Sequence, residues 1–83
     1  MRYNRADIES TVKAAAHAAR GGRDVFIFAT ALGWTINSER PPFDRPYLQV
    51  HGLGATAAII GREKDIETGT WAERDLGTVA IAS

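Results

Sequence analysis

The chain has 83 residues, the size of one small domain, and we expect residues 1–83 to fold as a single unit. Its ten basic and ten acidic side chains cancel to a net charge of zero, which gives the whole chain no strong attraction to nucleic acid or to a membrane surface. Cysteine is absent, which excludes disulfides, thiolate nucleophiles and cysteine-bound metals, and fits a cytoplasmic protein.

The first predicted element is a helix over residues 5–20. Asn4 is a favourable N-cap, because its side chain can accept a hydrogen bond from a free backbone N–H of the first turn. Gly21 and Gly22 supply the left-handed conformation that ends a helix. Apolar residues recur between these signals at helical spacing, at Ile8, Val12, Ala15 and Ala19. This stripe is mostly alanine, so the helix buries little area but can lie close to whatever it covers.

The second predicted element is a strand over residues 24–30, rich in β-branched and aromatic side chains. Val25 and Ile27 point to one face of this strand. Phe26 and Phe28 point to the other, so the strand is apolar on both faces. That pattern is typical of a central strand covered on both sides.

The rest of the chain predicts further antiparallel strands joined by turns. Residues 37–46 contain three prolines, which favours an extended, stiff loop and excludes a central strand or a helix interior. The polar segment 62–75 fits a loop, a short helix or a frayed hairpin. The remaining strands are predicted at 34–36, 47–51, 56–60 and 77–81. The expected fold is therefore α+β, an N-terminal helix packed on an antiparallel sheet of three to five strands.

A single helix covers only one face of such a sheet. Phe26 and Phe28, on the other face, then need a second cover, since a large exposed apolar patch is unusual in a monomer. The C-terminal residues with Trp71 and Leu76 could supply it, or a second chain could. We therefore expect Phe26 and Phe28 to form the interface of a homodimer or of a partner complex.

The proline-rich loop is the best candidate for recognition. Its prolines reduce the entropy lost on binding, and it carries residue types that act as interface anchors. An alternative is that Phe43 packs against the sheet edge and the arginines are only solvated. The predicted partner-binding residues, in the loop and at its base, are Trp34, Arg40, Phe43, Arg45 and Tyr47.

No pattern in the sequence predicts catalysis, a metal site or a cofactor. His17 and His51 have no His, Asp or Glu at the spacing of a metal site. No serine lies in a nucleophile motif, and the glycines at 52 and 54 lack the pattern of a phosphate loop. The longest apolar run, 55–60, is far short of the roughly 20 residues that span a membrane.

In small size, neutral cysteine-free composition and single helix-plus-sheet plan, the chain resembles the small phage- and prophage-encoded inhibitors of the anti-CRISPR type. This resemblance assigns no residue. It implies a non-enzymatic protein that binds a host complex sterically, such as a CRISPR-Cas effector, often as a homodimer. Neutral charge argues against mimicry of DNA. The alternative is a small nucleic-acid-binding or regulatory module.

Overall fold

The computed structural model describes residues 5–41 and 45–81. In these residues the chain forms one α-helix and five β-strands, which confirms the predicted α+β class. In chain order the elements are α1 (Arg5–Ala18), β1 (Asp24–Thr30), β2 (Gly33–Asn37), β3 (Tyr47–Gly52), β4 (Thr56–Lys64) and β5 (Trp71–Ala80).

The five strands form one open sheet in the order β2-β1-β3-β4-β5, and every neighbouring pair is antiparallel. Strand β1 is paired on both edges, which confirms its prediction as an interior strand. The consecutive pairs β1–β2, β3–β4 and β4–β5 are hairpins. The pair β1–β3 is not, because β2 and the proline-rich loop separate the two strands in sequence.

Helix α1 ends two residues before its predicted limit, at Ala18. The backbone N–H of Ala19 still donates to the carbonyl of Ala15 at 2.9 Å, so the chain continues as a turn. Gly21 and Gly22 then take φ values of 85° and 82°, the left-handed conformation that ends the helix. The predicted cap Asn4 lies outside the described residues. With 14 residues, α1 lacks the length and apolarity needed to cross a membrane, and it is the only helix in the described ranges.

The core lies between α1 and one face of the sheet. Val25 and Ile27 point into it, as the alternation of β1 predicts. Alanine is the residue that the helix contributes most often, so the helix axis lies close to the strands. The buried members are Ala15, Ala16, Ala19, Val25, Ile27, Val50, Ala57 and Ile59.

The connection from β2 to β3 has to cross β1. Both strands pair with β1, one on each edge, so the chain must pass over β1 to travel between them. β2 ends at Asn37, which lies opposite Phe26 of β1. β3 begins at Tyr47, and the next residue, Leu48, lies opposite Ile27 of β1. The connection therefore also runs back along β1. Pro41 and Pro46, its two described prolines, lie outside the strands and so take no donor from a ladder.

The crossing takes place on the face of the sheet opposite the helix, here called the far face. The guanidinium carbon of Arg40 lies 5.8 Å from the ring centre of Phe26, and that of Arg45 lies 5.6 Å from the ring centre of Phe28. Pro41, next to Arg40, is buried. The two described ends of the connection thus lie on the far face.

This connection corrects the prediction about how the far face is covered. Phe26 is only 6% exposed, under the side chains of Tyr47 and Arg40, so neither residues 66–83 nor a second chain is needed to bury it. Phe28 is half-buried next to Arg45. Phe26 therefore needs no second chain to cover it, so its burial is no longer a reason to expect an interface there. The homodimer itself stays a prediction.

The segment left open at 62–75 forms the outer part of the β4–β5 hairpin. Lys64 and Trp71 are the last paired residues before its turn, in which the Asp65 N–H donates to the Thr70 carbonyl at 2.8 Å. The hairpin extends beyond the first residue of β3, which lies opposite Arg62. Strand β5 starts six residues earlier than the strand predicted at 77–81, and it is interrupted by a bulge.

Candidate interaction surface

Three arginines on the far face each lie over an aromatic ring. Arg40 lies over Phe26 at 5.8 Å, and Arg45 lies over Phe28 at 5.6 Å. A third pair lies further along the sheet, where Arg62 is 5.6 Å from the ring centre of Trp71. We call Arg40, Arg45 and Arg62 the arginine face. A guanidinium at such a distance is attracted to the ring by about 0.5–1 kcal/mol when exposed, which orders the side chain.

The strand register explains why these groups share one face. Tyr47 lies opposite Arg62, and Arg62 lies opposite Glu73, so the three side chains form a row across β3, β4 and β5. Tyr47 also contacts Phe26 edge-to-face, with ring centres 5.5 Å apart. Trp71, two residues before Glu73, points the same way. The row therefore continues the aromatic surface of β1 across the sheet.

Two of the three cations are available for a partner. Arg62 donates to Glu73 at 3.4 Å, so part of its charge is balanced within the hairpin. Arg40 and Arg45 are exposed, and no carboxylate in the described parts of the chain lies within ion-pairing distance of either. These two guanidiniums present positive charge to solvent while their ring contacts limit their motion. Such ordering lowers the entropic cost of binding an anion.

The predicted partner-binding residues fall into separate groups. Arg40 and Arg45 lie together on the far face. Tyr47 is 7% exposed and packs edge-to-face against Phe26, so it presents little surface to a partner. Trp34 packs against the core on the helix side of the sheet, so its ring is not part of the far face. Phe43 lies outside the described residues.

Arg62 was not predicted as a member of this surface, and Trp71 was considered only as a possible cover. The signal was present in the alternation of 56–64, where every second residue from Ala58 onward points to the far face. It was weak because the predicted strand stopped at residue 60. Trp71 is half-buried next to Arg62 and does not contribute to covering β1, from which two strands separate it.

The helix side of the sheet carries an open apolar cleft of about 470 Å³. It lies where α1 no longer covers β3 and β4, and an ion pair between Glu63 and Arg74 at 3.2 Å lies among its lining residues. Leu76, which also lines it, is 52% exposed. The apolar part of the lining includes Ile8, Trp34, Leu48 and Leu76.

Strand pairing builds one contact between a histidine and a carboxylate. Asp24 and His51 lie opposite each other on β1 and β3, and the His51 Nδ1 lies 2.5 Å from the Asp24 Oδ1. Both side chains are close to half exposed. Across residues 5–41 and 45–81, no group of three His, Asp or Glu side chains is placed to hold a metal ion.

Comparisons with protein-family models, with curated proteins and with solved structures give no match for this chain.

Proposed function

We propose that this protein is a non-enzymatic binding module whose arginine face docks on an acidic surface of a partner protein. The observation that carries the proposal is the placement of Arg40 and Arg45, both exposed and each held over a phenylalanine ring. Arginine on a stiff support is a frequent interface anchor, because its planar group binds carboxylates in a bidentate manner.

A protein partner is favoured over nucleic acid by the other groups on the same face. Aromatic rings that stack on bases must be accessible, whereas Phe26 and Tyr47 are 6% and 7% exposed. Glu73 and Asp75 lie beside the arginine face on β5 and would repel phosphates. A protein surface with local acidic groups can avoid these two carboxylates, which a continuous phosphate backbone does less easily.

The narrower proposal is that the partner is a bacterial defence complex and that binding inhibits it sterically, in the manner of the anti-CRISPR proteins. It is supported by the chain's small size, its neutral composition and its helix-plus-sheet plan. Positive groups held over one face of the sheet suit the blocking of a protein surface. The mechanism requires neither catalysis nor a cofactor.

The test of the narrower proposal measures how well phages form plaques on strains whose CRISPR-Cas system targets them, one strain for each effector type. Expression of the wild-type protein should restore plaques in at least one strain. The double variant Arg40→Ala/Arg45→Ala should lose this protection. The control Lys13→Ala/Arg20→Ala removes the same charge from two exposed positions, one on the helix and one in the turn after it, and should keep the protection. Failure of the wild type in every strain would overturn the inhibitor proposal.

The broader proposal is tested by binding to the purified partner, identified by cross-linking and mass spectrometry. Arg40→Glu/Arg45→Glu should abolish the complex, and reversal of the contacted carboxylates on the partner should restore it. Binding to labelled duplex DNA, single-stranded DNA and RNA is measured in parallel, to test the nucleic-acid alternative. Salt-dependent binding to any of them that Arg40→Ala/Arg45→Ala removes would overturn the broader proposal in favour of a nucleic-acid module.

A further inference from the structure

The sheet is open, so it has two edge strands, and the two differ in kind. An edge strand presents unpaired backbone groups that can pair with another chain, and proteins commonly protect it with charges or a bulge. β5 has both protections. It carries the charged run Glu73, Arg74 and Asp75, and a bulge at which Gly77 takes a φ of 93°.

β2, the other edge strand, has neither protection. Its sequence, Gly-Trp-Thr-Ile-Asn, contains no charged residue and no proline, and its five residues pair with β1 without a register shift. Ile36 is 39% exposed on this strand, and Leu32, just before it, is 94% exposed. Apolar side chains thus flank an edge that nothing in its own sequence keeps from pairing.

We propose that β2 pairs antiparallel with β2 of a second copy of this chain, centred on Thr35. Side chains directly opposite each other in an antiparallel pair point to the same face of the sheet. A two-fold axis that relates two copies of one strand must therefore pass between two copies of the same residue. Centring on Thr35 pairs all five residues of the strand, and any other centre leaves some of them unpaired. Trp34 of each copy then lies opposite Ile36 of the other.

This register is self-complementary in side-chain chemistry. Aromatic residues opposite β-branched residues, and threonine opposite threonine, are among the favourable cross-strand pairs, at about 0.2–1 kcal/mol each. The Trp34–Ile36 pairs lie on the helix side of the sheet, where Trp34 already packs against the core. Pairing would bury the exposed part of Ile36 and extend the core across the axis.

The resulting dimer is one continuous sheet of ten strands, five from each copy. The two-fold axis is perpendicular to the sheet, so the two arginine faces lie on the same side of the dimer. The dimer places them side by side without using any of their residues. The pairing is inferred independently of the proposed function, and its test does not involve a partner.

The test measures mass in solution by sedimentation or light scattering, over a range of protein concentrations. The wild type should approach twice the 9.0 kDa of one chain. Thr35→Lys and Thr35→Glu, which each place like charges opposite one another at the axis, should both shift towards the mass of one chain. Mixing the two variants should restore the double mass, because the opposed charges are then complementary. Thr78→Lys, the matched change on the β5 edge, should leave the dimer intact.

A cysteine cross-link gives a second readout that does not depend on charge. The chain has no cysteine, so Thr35→Cys places a single thiol at the axis and Thr78→Cys places one on the other edge. Mild oxidation should give a covalent dimer from Thr35→Cys much faster than from Thr78→Cys. A wild type that stays at the mass of one chain, equal cross-linking of the two variants, or a dimer broken only by Thr78→Lys would overturn the proposal.

Discussion

Gly52 lies directly against the backbone at the end of the helix. A Cβ added to it would lie 2.0 Å from the carbonyl oxygen of Ala19, a backbone atom that cannot move without displacing the end of α1. The N–H of Gly52 also donates to the Arg23 carbonyl at 3.0 Å, which ties the strand to the turn after the helix. We expect Gly52→Ala to lower the free energy of unfolding by about 2 kcal/mol or more, measured by urea unfolding.

Gly61→Ala is the matched control, because Gly61 is also buried, lies in the neighbouring strand and faces the same side of the sheet. A Cβ there would lie 3.1 Å from the Cδ1 of Leu76, the far end of a half-exposed side chain that can rotate away. Gly61→Ala should lower the free energy of unfolding by less than about 1 kcal/mol. Equal decreases in the free energy of unfolding for the two variants would show that the contact between Gly52 and Ala19 does not limit how closely the helix packs on the sheet.

The sequence indicated part of this contact. An alanine stripe on α1 predicted a close approach of helix and sheet, and Ala15, Ala16 and Ala19 are indeed fully buried. Gly52, however, was placed only in the turn between the strands predicted at 47–51 and 56–60. Its second role depends on a carbonyl more than thirty positions earlier in the chain, and no local pattern reports such a contact.

The outer part of the β4–β5 hairpin, residues 63–72, contributes little to the core. Its side chains are exposed apart from the half-buried Trp71, and its ion pair between Glu63 and Arg74 is of the exposed kind that stabilises by at most about 1 kcal/mol. Replacing residues 63–72 by Asn-Gly would join Arg62 to Glu73, which already lie opposite each other, through a two-residue turn.

We expect this shortened chain to fold with a free energy of unfolding within about 1 kcal/mol of the wild type, measured by urea unfolding. The loss of the contact between Arg62 and Trp71 is offset by the shorter loop to be closed. Unfolding of the shortened chain at room temperature would contradict this, since it would mean that the hairpin stabilises the whole sheet.

The predicted elements differ in accuracy for a physical reason. β1 was predicted with its observed limits because both of its faces are buried, which produces a continuous apolar run between polar ends. Residues 62–75 gave no such signal, because most of this hairpin is exposed and charged and shows no apolar period. Its pairing comes from continuing the β3–β4–β5 ladder, which is a property of the sheet rather than of the segment.

The order of the strands, and with it the site, could be predicted only in part. The proline-rich loop and its two arginines were recognised by composition, yet nothing in residues 37–46 states that they cross β1. That follows from β3 pairing with β1, a contact between segments separated by β2. The rings beneath Arg40 and Arg45 were therefore assigned to an interface, although they bind the loop of their own chain.

Stability should decrease across the sheet from the β1–β3 pair towards both edges. β1 and β3 have a strand on each side and the helix on one face, and the described ends of the crossing loop lie over β1 on the other. Ile27 and Val50, one on each strand, are the largest fully buried side chains in the described ranges. Their backbone amides should exchange hydrogen only when the whole domain unfolds.

Hydrogen exchange followed by NMR gives the measurement. Amides of β1 and β3 should be protected about 1,000-fold or more, consistent with a global unfolding free energy near 5 kcal/mol, while those of residues 63–72 should exchange with little protection. The outward-facing amides of β2 provide a further readout, because pairing between copies would slow their exchange as protein concentration rises. Amides of the β5 edge should not respond to concentration. Slow exchange in the outer hairpin, or a concentration effect at β5 instead of β2, would contradict this order of stability and the assignment of the pairing edge.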